Sequence, residues 1–204
     1  MKQVNLINLD IEIYKKASLK YRPDYIKYLF VCESPPAYKN KDEMSYFYFE
    51  KNKVVEVLFS TIIKAVYDID YRKKTHNKIE LLEKLKKDGF FLIDAVFYPI
   101  NKDAEGNKIN EKIRKLEIYK NMPDFFGELQ KMMDENLIDK DTKFILIKKT
   151  VHDCLYEELA KRGFNVVNTR FIKFPSYYGD RQVVNELILK LPIEKHLFCH
   201  SEGA

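Results

Sequence analysis

The sequence predicts an α/β fold, a three-layer α/β/α sandwich built on a central four-stranded parallel sheet. Two observations carry that expectation. Four short apolar runs rich in β-favouring residues, over 25–32, 90–97, 144–147 and 164–168, alternate with longer stretches of helical periodicity. Strands that alternate with helices imply right-handed crossovers and a parallel sheet, and near-continuous apolar character fits strands covered on both faces.

The elements follow in order. The stretch IEIYKKASLKY reads as a helix that stops at Arg22-Pro23, because the residue before a proline resists helix. The first strand ends at Glu33-Ser34-Pro35-Pro36, where two prolines forbid both helix and ladder. A Lys-rich loop and the aromatic run Tyr46-Phe47-Tyr48-Phe49 come next. Val54, Val55, Leu58, Phe59, Ile62, Ile63 and Val66 then recur at three- and four-residue steps, which predicts an amphipathic helix over 53–67. A second helix over 78–88 is stopped by Gly89.

The second strand is apolar except for Asp94, and a turn-rich loop joins it to a long helix over 111–136. After the third strand, Thr150-Val151-His152-Asp153 resembles a capping box opening a helix that ends at Gly163. The fourth strand is broken by Phe174-Pro175-Ser176, and Asp180 is placed to cap a last helix reaching Lys190. No repeat or compositional boundary divides the chain, so one domain over 1–204 is expected.

Charged residues make up 33% of the chain, with a net charge of +5, which suits a polyanionic partner but equally an ordinary soluble surface. Three cysteines without CxxC spacing cannot complete a disulfide framework or supply four thiolates to a cluster. The amino-terminal stretch lacks a signal-peptide core and no apolar run approaches membrane-spanning length, so a cytoplasmic location without membrane association is expected. His152 reads as helix surface, and His196 and His200 have no acidic partner at ligand spacing. No metal and no cofactor is expected.

Ligands of parallel α/β sheets bind beyond the carboxyl ends of the strands. The polar residues at those exits are Glu33 and Ser34, then Asp94 followed by Pro99-Ile100-Asn101, then Lys148-Lys149-Thr150, then Lys173-Phe174-Pro175-Ser176. Asp94 is flanked by Leu92, Ile93, Ala95 and Val96, so its carboxylate must leave the core or find donors within it.

These exits resemble the motifs of the uracil-DNA glycosylase superfamily, in order and spacing over residues 26–190. Cys32-Glu33-Ser34-Pro35-Pro36 is similar to the GEAPG motif of the thermophile-type branch, and Tyr46 to Phe49 to the segment carrying its base-stacking aromatic. Asp94 stands where the family has a uracil-reading Asn, and Phe174-Pro175-Ser176 resembles its His-Pro-Ser motif, with Phe174 at the His position. That branch also carries four iron–sulfur cysteines, which this chain lacks.

The resemblance implies hydrolysis of the N-glycosidic bond of a damaged or deaminated base flipped out of DNA, single-stranded DNA included. Glu33 would be the catalytic carboxylate. Asp94, Phe47, Tyr48, Phe49 and Phe174 would surround the base. Ser34, Ser176 and Arg181 would grip phosphate, with Lys148, Lys149, Arg170 and Lys173 as a basic strip. A monomer is expected. Phe174 cannot donate to a departing base, and an ionised Asp94 cannot donate as an amide does. Two other readings therefore stand beside the first: a catalytically silent nucleic-acid-binding domain, and a hydrolase of small nucleosides or nucleotides.

Overall fold

The computed structural model describes residues 11–37, 45–51, 56–73, 76–103, 105–175, 183 and 185–187. Four parallel strands form one sheet: β1 (Tyr28–Cys32), β2 (Phe90–Asp94), β3 (Lys143–Leu146) and β4 (Asn165–Val166), in the order β2-β1-β3-β4. Tyr28 pairs with Phe90 and Lys143, and at the other end Cys32 pairs with Asp94. The expected α/β sandwich on a four-stranded parallel sheet is therefore the observed architecture.

The helices are α1 (Ile11–Lys20), α2 (Val57–Tyr67), α3 (Lys78–Lys87), α4 (Glu111–Asp134) and α5 (Lys149–Lys161). Between β1 and β2 the chain makes α2 and α3, joined at their ends by a bond from the Tyr67 hydroxyl to Asp88. After β2 it makes α4, which packs on α5. Asn77 and Asn110 cap α3 and α4 by accepting from Ile79 and Ile113. Gly89 and Gly163 adopt φ of +82° just past α3 and α5, the left-handed conformation that ends a helix cheaply only at glycine.

Burial follows the sequence pattern. Leu29, Ile62, Ile63, Leu82, Phe125, Phe144, Ile145, Leu146 and Leu155 lose all exposure, so both faces of the sheet are covered. None of the helices among the described residues is long and apolar enough to cross a membrane.

Three local expectations change. The second strand ends at Asp94 rather than at Phe97, because Ala95 and Val96 donate to the successive carbonyls of Cys32 and Glu33 and the chain bends out of the ladder. The fourth strand is only two residues long. Beyond it the Asn168 side chain accepts from Leu146 N–H (2.9 Å) and donates to Leu146 C=O (3.0 Å), taking the place of a backbone partner.

The capping box at Thr150 does not form. Helix α5 starts two residues earlier, its N-cap is Lys148 with no side-chain cap bond, and the Thr150 hydroxyl donates to Glu33. A buried carboxylate needs donors more than an exposed helix end does, since water can satisfy the latter. Val54, Val55, the cap at Asp180, and His196 and His200 lie outside the described residues.

Candidate functional site

Successive connections leave β1 and β3 in opposite directions, β1 toward β2 and β3 toward β4, so the crevice between their carboxyl ends is the switch point of the sheet. Glu33 follows β1 into that crevice and is 5% exposed. Its Oε2 accepts from Lys148 Nζ at 2.5 Å and from Arg114 Nη1 at 3.1 Å, while Oε1 accepts from the Thr150 hydroxyl. One carboxylate thus draws together the exit of β1, the first turn of α4 and the start of α5.

Burial lowers the Lys148 ammonium from the usual lysine range, and the Glu33 charge opposes that pull. Lys148 has φ of +89°, a conformation costly for a side chain other than glycine's, and the salt bridge helps hold it there. Phe174 is 49% exposed and its ring lies 5.8 Å from Lys148 Nζ, so the Phe174 segment reaches the same crevice.

Asp94, on the neighbouring strand, faces a different enclosure. Its side chain lines a hollow of about 280 Å³ with Tyr14 of α1, Tyr46, Pro35, Leu92, Phe97 and Met132 of α4. That volume lies at the small end of the roughly 300–1,000 Å³ range of ligand pockets. Asp94 is 7% exposed, and its carboxyl has no hydrogen bond or ion pair among the described residues. Burial first, and the Glu33 charge second, raise the carboxyl to about 8. An acid of that kind is mostly protonated at neutral pH and carries both an O–H donor and a C=O acceptor.

The two carboxyls are neighbours that look apart: Glu33 turns toward α4 and α5, Asp94 toward α1 and the aromatic segment. The loop between them is held from both sides. Tyr14 donates to the Pro36 carbonyl at 2.8 Å, and Asn101 Oδ1 accepts from Ala37 N–H at 2.8 Å. Comparison of the chain with protein-family models, curated proteins and solved structures returns no match.

The remaining expected site residues divide. Phe47 and Tyr48 are enclosed by the core: Phe47 packs edge-on against Phe59, and Tyr48 lies against Tyr21 and Phe91. Neither ring is presented to the Asp94 hollow; within the aromatic run that place belongs to Tyr46. Phe49 stacks on Tyr14, supporting one wall of the hollow from behind. Ser34 is half-buried, and its Oγ accepts from Ile100 N–H at 3.4 Å, tying two strand exits together. Ser176 and Arg181 lie outside the described residues. No group of three or more His, Cys, Asp or Glu side chains among the described residues is arranged to hold a metal ion.

Arg114, Tyr14 and the role of Thr150 were not apparent from the sequence. Arg114 sits in an exposed-looking Lys- and Glu-rich helix start, 81 residues from the carboxylate it meets, and nothing local marks it. Tyr14 carried a fainter signal. It is the buried residue of a helix otherwise weak in apolar residues, seven positions before Tyr21 on the same face.

Proposed function

We propose that this chain is a uracil-DNA glycosylase-like protein that receives a flipped-out damaged or deaminated base in the Asp94 hollow and hydrolyses its N-glycosidic bond. The observation that carries the reading is Asp94 itself: a buried carboxyl without a partner, aimed into an aromatic-walled hollow at the carboxyl end of a parallel strand. A largely buried carboxyl that meets no donor from the protein depends on what enters the hollow, solvent or ligand, for its hydrogen bonds.

In this reading water adds at C1′ while the electron pair of the C1′–N bond departs with the base. Glu33 follows Cys32, the strand partner of Asp94, and is the carboxylate assigned to an oxocarbenium-like sugar that would reach from the hollow into the neighbouring crevice. Lys148, Arg114 and the exposed Phe174 ring lie at the crevice mouth, where phosphates and an unstacked base would pass. Tyr46 and Tyr14 replace Phe47 and Tyr48 as the rings beside the base.

A second reading has its own observation. Glu33 is already engaged by two cations and a hydroxyl, which occupy both of its oxygens and leave little room to hold an attacking water. That favours a silent nucleic-acid-binding domain that keeps the hollow without turnover.

Oligonucleotides carrying uracil, hypoxanthine, xanthine or mismatches, incubated with the protein and then treated with alkali, separate the two. Strand cleavage with at least one substrate, lost in Asp94→Ala and Glu33→Gln proteins whose circular dichroism is unchanged, is the expected result. No cleavage across the panel together with salt-sensitive binding rejects the enzyme and leaves the binder. Hydrolysis of free nucleosides without affinity for the polymer rejects both.

A further inference from the structure

We propose that Asp94 acts as a neutral carboxylic acid that reads a base edge on which a hydrogen-bond donor and an acceptor stand side by side. The inference rests on the base-binding reading above and adds which edge is read and what controls it.

The geometry restricts the chemistry. Asp94 is a buried residue, and no described side chain donates to its carboxyl or accepts from it. The hollow it faces is small and walled by the rings of Tyr14, Tyr46 and Phe97 and the side chains of Pro35, Leu92 and Met132. A planar ring admitted beside these side chains would meet the Asp94 carboxyl.

What that group can say depends on its proton. A neutral carboxyl offers one donor and one acceptor in a plane, about the spacing of an amide. It can close a two-bond ring with a lactam edge, accepting from N–H and donating to C=O, or with an amidine edge, accepting from an amine and donating to a ring nitrogen. An ionised carboxylate only accepts and would pair with two adjacent donors instead. Neutral Asp94 therefore does what the amide at the equivalent motif position would do, and it supplies a donor toward the departing base that Phe174 cannot.

Burial and the Glu33 charge favour the neutral form. Cys32 and Glu33 face Asp94 from β1 and its exit, Tyr14 from α1, and Tyr46 and Tyr48 from the aromatic segment; none of these is a cation. Glu12, Lys15 and Arg22 at α1, and Glu128 and Lys131 of α4, line the hollow as well, and none of them bonds to the Asp94 carboxyl. Burial beside Glu33 holds its proton up to about 8.

The test is calorimetric titration of uracil and adenine into wild-type protein and Asp94→Asn at pH 6.5 and pH 9, with circular dichroism at both values to verify folding. Asn keeps the donor–acceptor pair but does not titrate, so ionisation of the base itself affects both proteins alike. About a tenth of Asp94 stays neutral one unit above its midpoint. Wild-type affinity for at least one of the bases is expected to fall about tenfold from pH 6.5 to pH 9, relative to Asp94→Asn. Affinity that changes in parallel in the two proteins overturns the neutral-acid inference while the base-binding reading stands. Failure of both bases to bind at pH 6.5 overturns both.

Discussion

The hydroxyl of Tyr48 bonds both backbone groups of Leu92, accepting from its N–H at 2.7 Å and donating to its C=O at 3.1 Å. β2 is an edge strand, and these are groups its single strand neighbour leaves open. One phenol thus does the work of a missing strand at the residue two before Asp94. Tyr48→Phe keeps the ring and removes the oxygen, leaving a buried donor and a buried acceptor unsatisfied. Stability should drop by about 2–4 kcal/mol, seen as a lower urea midpoint with an unchanged slope. An unchanged midpoint would show that water replaces the hydroxyl at this edge.

The opposite side of the sheet uses the same device. The Asn168 amide, fully buried, accepts from and donates to Leu146 and also donates to the Arg170 carbonyl at 3.0 Å. Asn168→Leu has similar volume but satisfies none of these groups, so a loss of about 2–4 kcal/mol is expected. Faster amide exchange at Leu146 would locate that loss at the end of β3, whereas exchange unchanged there would assign it elsewhere.

These two residues also mark how far the sequence could be read. The strands were legible because burial on both faces writes itself as continuous apolar runs, and Glu33 and Asp94 stood out as the polar interruptions of those runs. Their surroundings were not legible. The aromatic run gave no period by which to decide which ring turns outward. The core took Phe47 and Tyr48 and left Tyr46 at the hollow. Thr150 fitted a capping pattern that depends on four adjacent residues, but the structure spends its hydroxyl on a carboxylate 117 residues away. Local patterns predict local bonds, and a buried charge recruits donors without regard to sequence distance.

Lys78 and Glu56 form an ion pair at the start of α3 and α2, with side-chain exposures of only 4% and 9%. Lys78 also donates to the Tyr46 carbonyl and lies over the Phe59 ring. Burial pushes the two in opposite directions, lowering the lysine and raising Glu56 to about 7. The pair is therefore poor as a source of stability but costly to break. Lys78→Met alone should cost about 3–5 kcal/mol by stranding Glu56. The double variant Lys78→Met with Glu56→Leu should recover most of it, in chemical denaturation at pH 7. A double variant no more stable than the single one would mean that the pair is needed for packing rather than merely tolerated.

Asp94 makes a thermodynamic prediction independent of any ligand. Its carboxyl is held near 8 in the folded chain and titrates near its ordinary value, 3.8, once unfolded. Between those values the folded state keeps a proton that the unfolded state has released, so stability falls as pH rises through the window and levels off above about 8. The total effect is on the order of a few kcal/mol. Glu56, raised to about 7, adds a slope of the same sign below that value, but it is present in wild type and Asp94→Asn alike and cancels in their difference. Asp94→Asn should therefore gain on wild type steadily from pH 4 to pH 8 and hold its advantage at pH 9. Urea unfolding at four or five pH values measures the difference directly. A difference independent of pH would mean that Asp94 is ionised in the folded chain, and the hollow would then have to contain a donor that neutralises it.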